Sequence, residues 1–361
     1  MAIKRLVQLG TPQAFSASGQ FSIELSPVQG TITELIVFVR SDVTTTTATN
    51  FNDYWDRLIS SMSLGGGGGN FFTFSNMRAA YHFTRLIKTI AAKRPTVVAD
   101  SQTNALTQFA YLFHFGTQLR LPDGRRNKFD LSAGIPPVPR GNLTLSGVFG
   151  AAGAMGTNVT TNTGTTLDVY AHVVQPESAG EGPARWMPRM LPNWSMRTPT
   201  PTATSAPFGT QDDVPGGDFL RSLLVMLTNG TNAPRDSGVL SSLEVYDQRA
   251  SRSIVRIGGQ SDTAPPAVVD EVVGQLDSNG WPPTDNATTL GVPALTHGHD
   301  RGLHAVVLAD YSDKADPHYG LDLRGVSTGG VQIRYGVVDA TGITMDVVYE
   351  RYKINPDYPA A

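Results

Sequence analysis

The sequence predicts an all-β chain of two consecutive eight-stranded β-sandwiches, each with one inserted helix. Three observations carry this. Thr166-Leu167-Asp168-Val169-Tyr170 in the first half is echoed by Thr344-Met345-Asp346-Val347-Val348 in the second, each after an apolar strand, an Asp-Leu loop and another strand. Strand-like segments follow one another without the βαβ alternation of parallel folds. At 361 residues the chain also exceeds the roughly 250–300 at which a single core stops growing. The expected division is a first sandwich over 1–175, a Pro-rich linker over 176–215 and a second sandwich over 216–361.

The first unit opens with Phe21, Ile23 and Leu25 alternating with Ser22 and Glu24, the period of a half-buried strand. Ile32 to Val43 is dense in β-branched residues, and its Leu35-Ile36-Val37-Phe38-Val39 is apolar on both faces, as in the middle of a sandwich. Leu58 to Leu64, five glycines and Phe71 to Phe74 read as a hairpin with a glycine tip. A phosphate loop would need Gly-Lys-Ser/Thr, and Asn70-Phe71-Phe72 stands there instead. Asn76 reads as an N-cap, and Met77, Ala80, Tyr81, Thr84, Ile87 and Ala91 recur at helical spacing, predicting a helix over about 76–93, before Pro95. Arg78, Arg85 and Lys88 are read as its solvated outer face. Strands are expected over Phe109 to Phe115, Asn127 to Ile135, Leu143 to Phe149 and Thr165 to Val174.

Residues 176–215 carry eight prolines among Gly, Ser and Thr, the composition of a semi-stiff connection. Trp186 and Trp194 are expected to tack it onto the body. The second unit repeats the order: Phe219 to Thr228, Leu240 to Tyr246, Ser253 to Ile257, then a helix over about 265–276 marked by Pro265-Pro266 and a Val268–Leu276 stripe. Leu303 to Ala309, Leu321 to Val326, Val331 to Val338 and Ile343 to Tyr352 complete it. Loops at Thr44–Thr49, 151–163 and 229–237 are expected to project or lie between neighbours.

Composition narrows the function. Charged residues are 16%, below the usual quarter, and leave much neutral surface suited to subunit packing. A net charge of −3 argues against a nucleic-acid condenser. With no cysteine there are no disulfides, thiol chemistry or Cys zinc sites. Two N-terminal basic residues without a following apolar stretch give no expectation of a signal peptide, and no 18-residue apolar run predicts a span.

Candidate chemistry is sparse. His297, His299 and His304, with Asp300, are the metal-ligand candidates, a His-X-His pair plus a third imidazole suiting a transition metal. Against them, Gly298 and Gly302 make the segment a flexible loop. Asp212-Asp213 and Asp310 to Asp316 are weaker calcium candidates. Without Gly-X-Ser-X-Gly or cysteine, no nucleophile is assigned, so no enzyme activity and no cofactor are expected. A β-sandwich carbohydrate-binding or glycan-active protein is the alternative, since paired carboxylates are a spatial feature. A receptor-binding or spike protein is a third reading.

About eight strands per half with long loops indicate the jelly-roll kind of sandwich. On the two units, their two helices, and the paired Phe129-Asp130-Leu131 and Leu321-Asp322-Leu323, the chain resembles the double jelly-roll major capsid proteins of tailless icosahedral viruses, the hexon-like lineage. Leu119-Arg120-Leu121-Pro122-Asp123-Gly124 followed by Asn142-Leu143-Thr144-Leu145 adds to that resemblance, which runs from about residue 15 to 352. It implies a homotrimer of pseudo-hexagonal outline tiling an icosahedral shell, made in the host cytoplasm and resident in the virion. It implies neighbouring capsomers and minor capsid or vertex proteins as partners, in many members an internal membrane, no catalytic residues, and no sequence-specific nucleic-acid binding.

Overall fold

The structure, a computed structural model, describes residues 2–46, 55–67, 69–88, 101–118, 127–137, 142–156, 158–177, 182, 185–203, 208–229, 240–258, 303–308, 320–337 and 342–358. They fall into two units, Met1–Ser195 with Tyr352–Ala361, and Met196–Arg351. The division falls inside the expected linker, and the last ten residues return to the first unit.

The first unit comprises β1 (Ile3–Gln8), β2 (Gln13–Ala14), β3 (Gln20–Leu25), β4 (Thr31–Thr45), β5 (Ile59–Gly66), β6 (Gly69–Phe74), α1 (Met77–Leu86), β7 (Ala105–His114), β8 (Leu143–Phe149), β9 (Val159–Thr161), β10 (Thr166–Gln175) and β11 (Met190–Pro192). One antiparallel sheet runs β1-β10-β4-β7 and the other β3-β8-β5-β6. The doubly apolar β4 sits between β10 and β7, as its composition requires. Its Leu35, Val37 and Val39 are buried with Phe109, Tyr111 and Phe113 of β7 and Val169, Ala171 and Val173 of β10. Phe72 of β6 stacks on Phe113 at 4.6 Å, joining the two sheets through the core. The glycine hairpin forms as expected, pairing Gly65 with Asn70 and Gly66 with Gly69.

Asn76 caps α1, its Oδ1 accepting from the Arg78 N–H at 3.0 Å. The helix ends at Leu86, short of the expected 93. Arg78, Arg85 and Lys88 are buried, not solvated. The helix packs against β5, β6 and β7, so tertiary cover reaches the face its charges had marked as outer. Asn127 to Ile135 forms no strand: it turns at Asp130, and its only ladder-type pairings among the described residues are the bridges Ile32–Ile135 and Ala133–Met190. Within the 151–163 loop, Met155 is buried and β9 pairs with the end of β4.

The second unit comprises β12 (Ser195–Arg197), β13 (Thr210–Asp213), β14 (Phe219–Asn229), β15 (Leu240–Asp247), β16 (Arg252–Gly258), β17 (Leu303–Val307), β18 (Leu321–Asp322), β19 (Val331–Val337) and β20 (Ile343–Ile354), with Ser195 and the end of β20 counted in the first unit. Its sheets read β11-β20-β14-β17 and β13-β19-β15-β16, the same orders as the first pair with ten added to each strand number, except that β19 answers β8. Leu223, Val225, Leu227, Val245, Ile333, Tyr335, Met345 and Val347 form its core. Of the expected strand Leu321 to Val326, only the first two residues pair; Leu323 O then accepts from the Val326 N–H and closes a turn. The expected helix over 265–276 lies outside the described residues, as do 47–49 and 230–237.

Candidate functional site

Of the proposed metal ligands, His297 and His299 lie outside the described residues. His304 stands on β17, its backbone registered opposite Val225 of β14. Asp212 and Asp213 are adjacent on β13 and so point to opposite faces. Asp212 Oδ2 accepts from the Tyr335 hydroxyl at 2.7 Å, and Asp213 Oδ1 from the Gln332 amide at 3.1 Å. Burial, with Asp212 alongside, pushes the Tyr335 phenol far above its ordinary range, so it stays a neutral donor. Asp310 to Asp316 is outside the described residues. Among the described residues no three His, Cys, Asp or Glu side chains gather as metal ligands.

A polar cluster that sequence reasoning missed lies across β10, β4 and β7. Register places His172 and His114 on either side of Glu34. His172 Nδ1 is 3.0 Å from Glu34 Oε1, and His114 Nδ1 is 3.5 Å from Oε2. All three are buried, and the Phe129 ring closes edge-on over His172 at 5.2 Å. Such a cluster holds three strands in one register, because a slip by one residue would bury a carboxylate without its imidazoles. Its signal was Glu34 at the head of the apolar run Leu35 to Val39.

The echoed Asp168 and Asp346 are both buried on the central pair of their own sheet. Asp168 meets Arg40 at 3.2 Å, and Asp346 accepts from the Thr198 hydroxyl at 2.7 Å. In the second unit Glu350 pairs with Arg221 at 3.0 Å and accepts from Ser222 Oγ, and Arg351 pairs with Asp218 at 3.0 Å.

Two features of the first unit stand out. The outer face of β3-β8-β5-β6 carries Ser22, Ser146, Ser63 and Thr73 in one cross-strand row, beside a shallow concavity of about 480 Å³. Elsewhere in the unit Lys4 pairs with Val174 and Val174 with Thr31, next to the bridge Ile32–Ile135, while Ala133 bridges to Met190, which pairs with Ile354. Lys4, Arg5, Lys128, Arg189 and Lys353 are exposed on or beside these segments, as are Ile3, Ile354, Glu177 and Asp357.

No protein-family model and no curated protein matches the chain. Solved structures do. The STIV major capsid protein is 14% identical with a TM-score of 0.63, over 99% of this chain and 98% of that one. A chain in the atomic structure of Sulfolobus Turreted Icosahedral Virus is 13% identical with a TM-score of 0.66, over 98% and 92%. The major capsid protein P2 of bacteriophage PM2 is 13% identical with a TM-score of 0.52, over 99% and 100%. At these identities the likeness speaks for the fold, and with the repeated strand order it is decisive for it: the chain has the double jelly-roll fold of these viral major capsid proteins.

Proposed function

We propose that the protein is a structural major capsid protein whose homotrimers form pseudo-hexagonal capsomers of an icosahedral shell. The observation that carries this is one strand order used twice in a chain whose whole length matches such proteins. Two like sandwiches per subunit give a trimer six of them, the count a sixfold outline needs. The low charge content supports broad, moderately apolar contacts between subunits. The role is mechanical: each β-sandwich is a stiff block, and the chemistry lies in packing.

Native mass spectrometry and light scattering test it. A trimer is expected, and electron microscopy of the source particle should show pseudo-hexagonal capsomers. A strict monomer at high concentration in every salt, or hydrolysis of glycans by the purified protein, would overturn the reading.

Basic residues of the first unit support an internal membrane as a further partner. Exposed cations next to exposed isoleucines in sequence (Ile3 with Lys4 and Arg5, Ile354 with Lys353) fit anionic headgroups over a hydrocarbon boundary. Flotation with anionic vesicles should carry the protein up, and Lys4→Glu with Arg189→Glu should reduce it. Equal flotation of the double variant would sink this assignment.

A further inference from the structure

We infer that residues 352–358 are a strap that completes the first unit, and that α1, β7 and the strap open and close together. Lys88, just past α1, is fully buried. Its ammonium donates to Tyr352 Oη at 2.7 Å and to Gly116 O at 3.1 Å. It also lies 4.9 Å from the Trp194 ring centroid and 5.4 Å from that of Tyr352. The Tyr352 hydroxyl donates onward to Phe115 O at 3.0 Å.

The strap is fastened elsewhere as well. Ile354 to Tyr352 pair with Met190 to Pro192 of β11. The buried Asn355 donates from its backbone to Arg189 O at 3.1 Å and from its amide to Pro188 O at 2.8 Å. Trp194 touches Phe83 of α1 at 5.2 Å and Phe115 at 5.3 Å, so strap, helix and β7 end meet at one point.

An ammonium taken out of water needs oriented oxygens and π faces in exchange. Tyr352 supplies one of each. Without it Lys88 must return to water, drawing the end of α1 away from β7. The contact spans 264 positions of sequence, across every strand of the second unit. The first unit therefore settles only after the end of β20, with Tyr352, has been made. A surface that depends on α1 and β7 is thus withheld from incomplete chains, a delay that suits any subunit that packs against copies of itself.

Hydrogen exchange on the full chain tests this through Tyr352→Phe, Lys88→Met and the double variant. Tyr352→Phe should lower protection of α1, β7 and residues 352–355 together, by roughly ten- to hundred-fold, as loss of a hydrogen bond to a charge implies. Amides of β14 and β19 should be unchanged. In the Lys88→Met background the same change should have little further effect. Loss confined to 352–355, or an equal loss with and without the ammonium, would overturn the inference. Should the variants not fold, the native protein in rising denaturant decides: one common opening for the three segments supports it, and separate openings overturn it.

Discussion

Two aspartates at matched places in the halves do the same local work in different surroundings. Asp130 Oδ1 accepts from the Ser132 N–H and Asp322 Oδ1 from the Arg324 N–H, both at 2.9 Å and two residues on, the geometry of an Asx turn. Asp130 is buried and takes more: its Oδ2 accepts from the Gln118 N–H and the Ser132 hydroxyl, both at 2.6 Å. Gly116 lies against it, and a methyl there would stand 2.3 Å from Asp130 Oδ2. Asp130→Ala leaves these donors unanswered and should cost about 2–3 kcal/mol, whereas Asp322→Ala, at an exposed turn, should cost well under about 1 kcal/mol. Urea unfolding of the two variants checks the contrast. The paired Asp-Leu stretches were legible in the sequence as a matched pair, but within expected strands, and their turns come from the structure. Their unequal burial was not legible, because it depends on what packs over them.

Among elements, those with strong periodicity or doubly apolar composition formed where expected: β3, β4, β8, β10, β14, β19 and β20. The elements missed are short or weakly patterned. β1 has exposed residues on both faces and owes its conformation to six rungs with β10. β9, β11, β12 and β13 are three or four residues long and are held by partner backbones, which leaves no periodic trace. α1 was legible from its cap and spacing, but not the burial of its cations. Asn76→Ala should cost about 1 kcal/mol, since the Arg78 N–H loses its acceptor at a helix end. A chemical-denaturation midpoint that does not move would show the cap is replaceable.

For the whole molecule, acid should weaken the second unit through two carboxylates. Hydrogen bonds from the Arg324 side chain, opposed by burial, hold Asp322 below the usual carboxylate range. For Asp247 burial pushes upward, and bonds from the Arg249 side chain and the Ala250 and Arg249 N–H groups outweigh it, again lowering the value. A depressed carboxyl contributes stability that is present above its unfolded pKa, near 3.9, and lost as pH falls through its folded value. The loss should therefore appear below about pH 4 and stay small, because both arginines and Asp322 are half exposed. Thermal melts of Asp247→Asn with Asp322→Asn should show a shallower fall in Tm with acid than the native chain.

The sequence by itself determined the class of the fold, its duplication and most of the strand order, because side-chain periodicity and turn chemistry act over a few residues. It also excluded cysteine chemistry, since the chain carries no cysteine. Only the tertiary structure decided that Lys88, Arg78 and Arg85 are inside, that Glu34 lies between two histidines, and that Tyr352 belongs to the first unit. Each of those depends on elements scores to hundreds of residues apart meeting in space. Burial is a property of the neighbours a residue acquires, and strand pairing, not local pattern, chooses them.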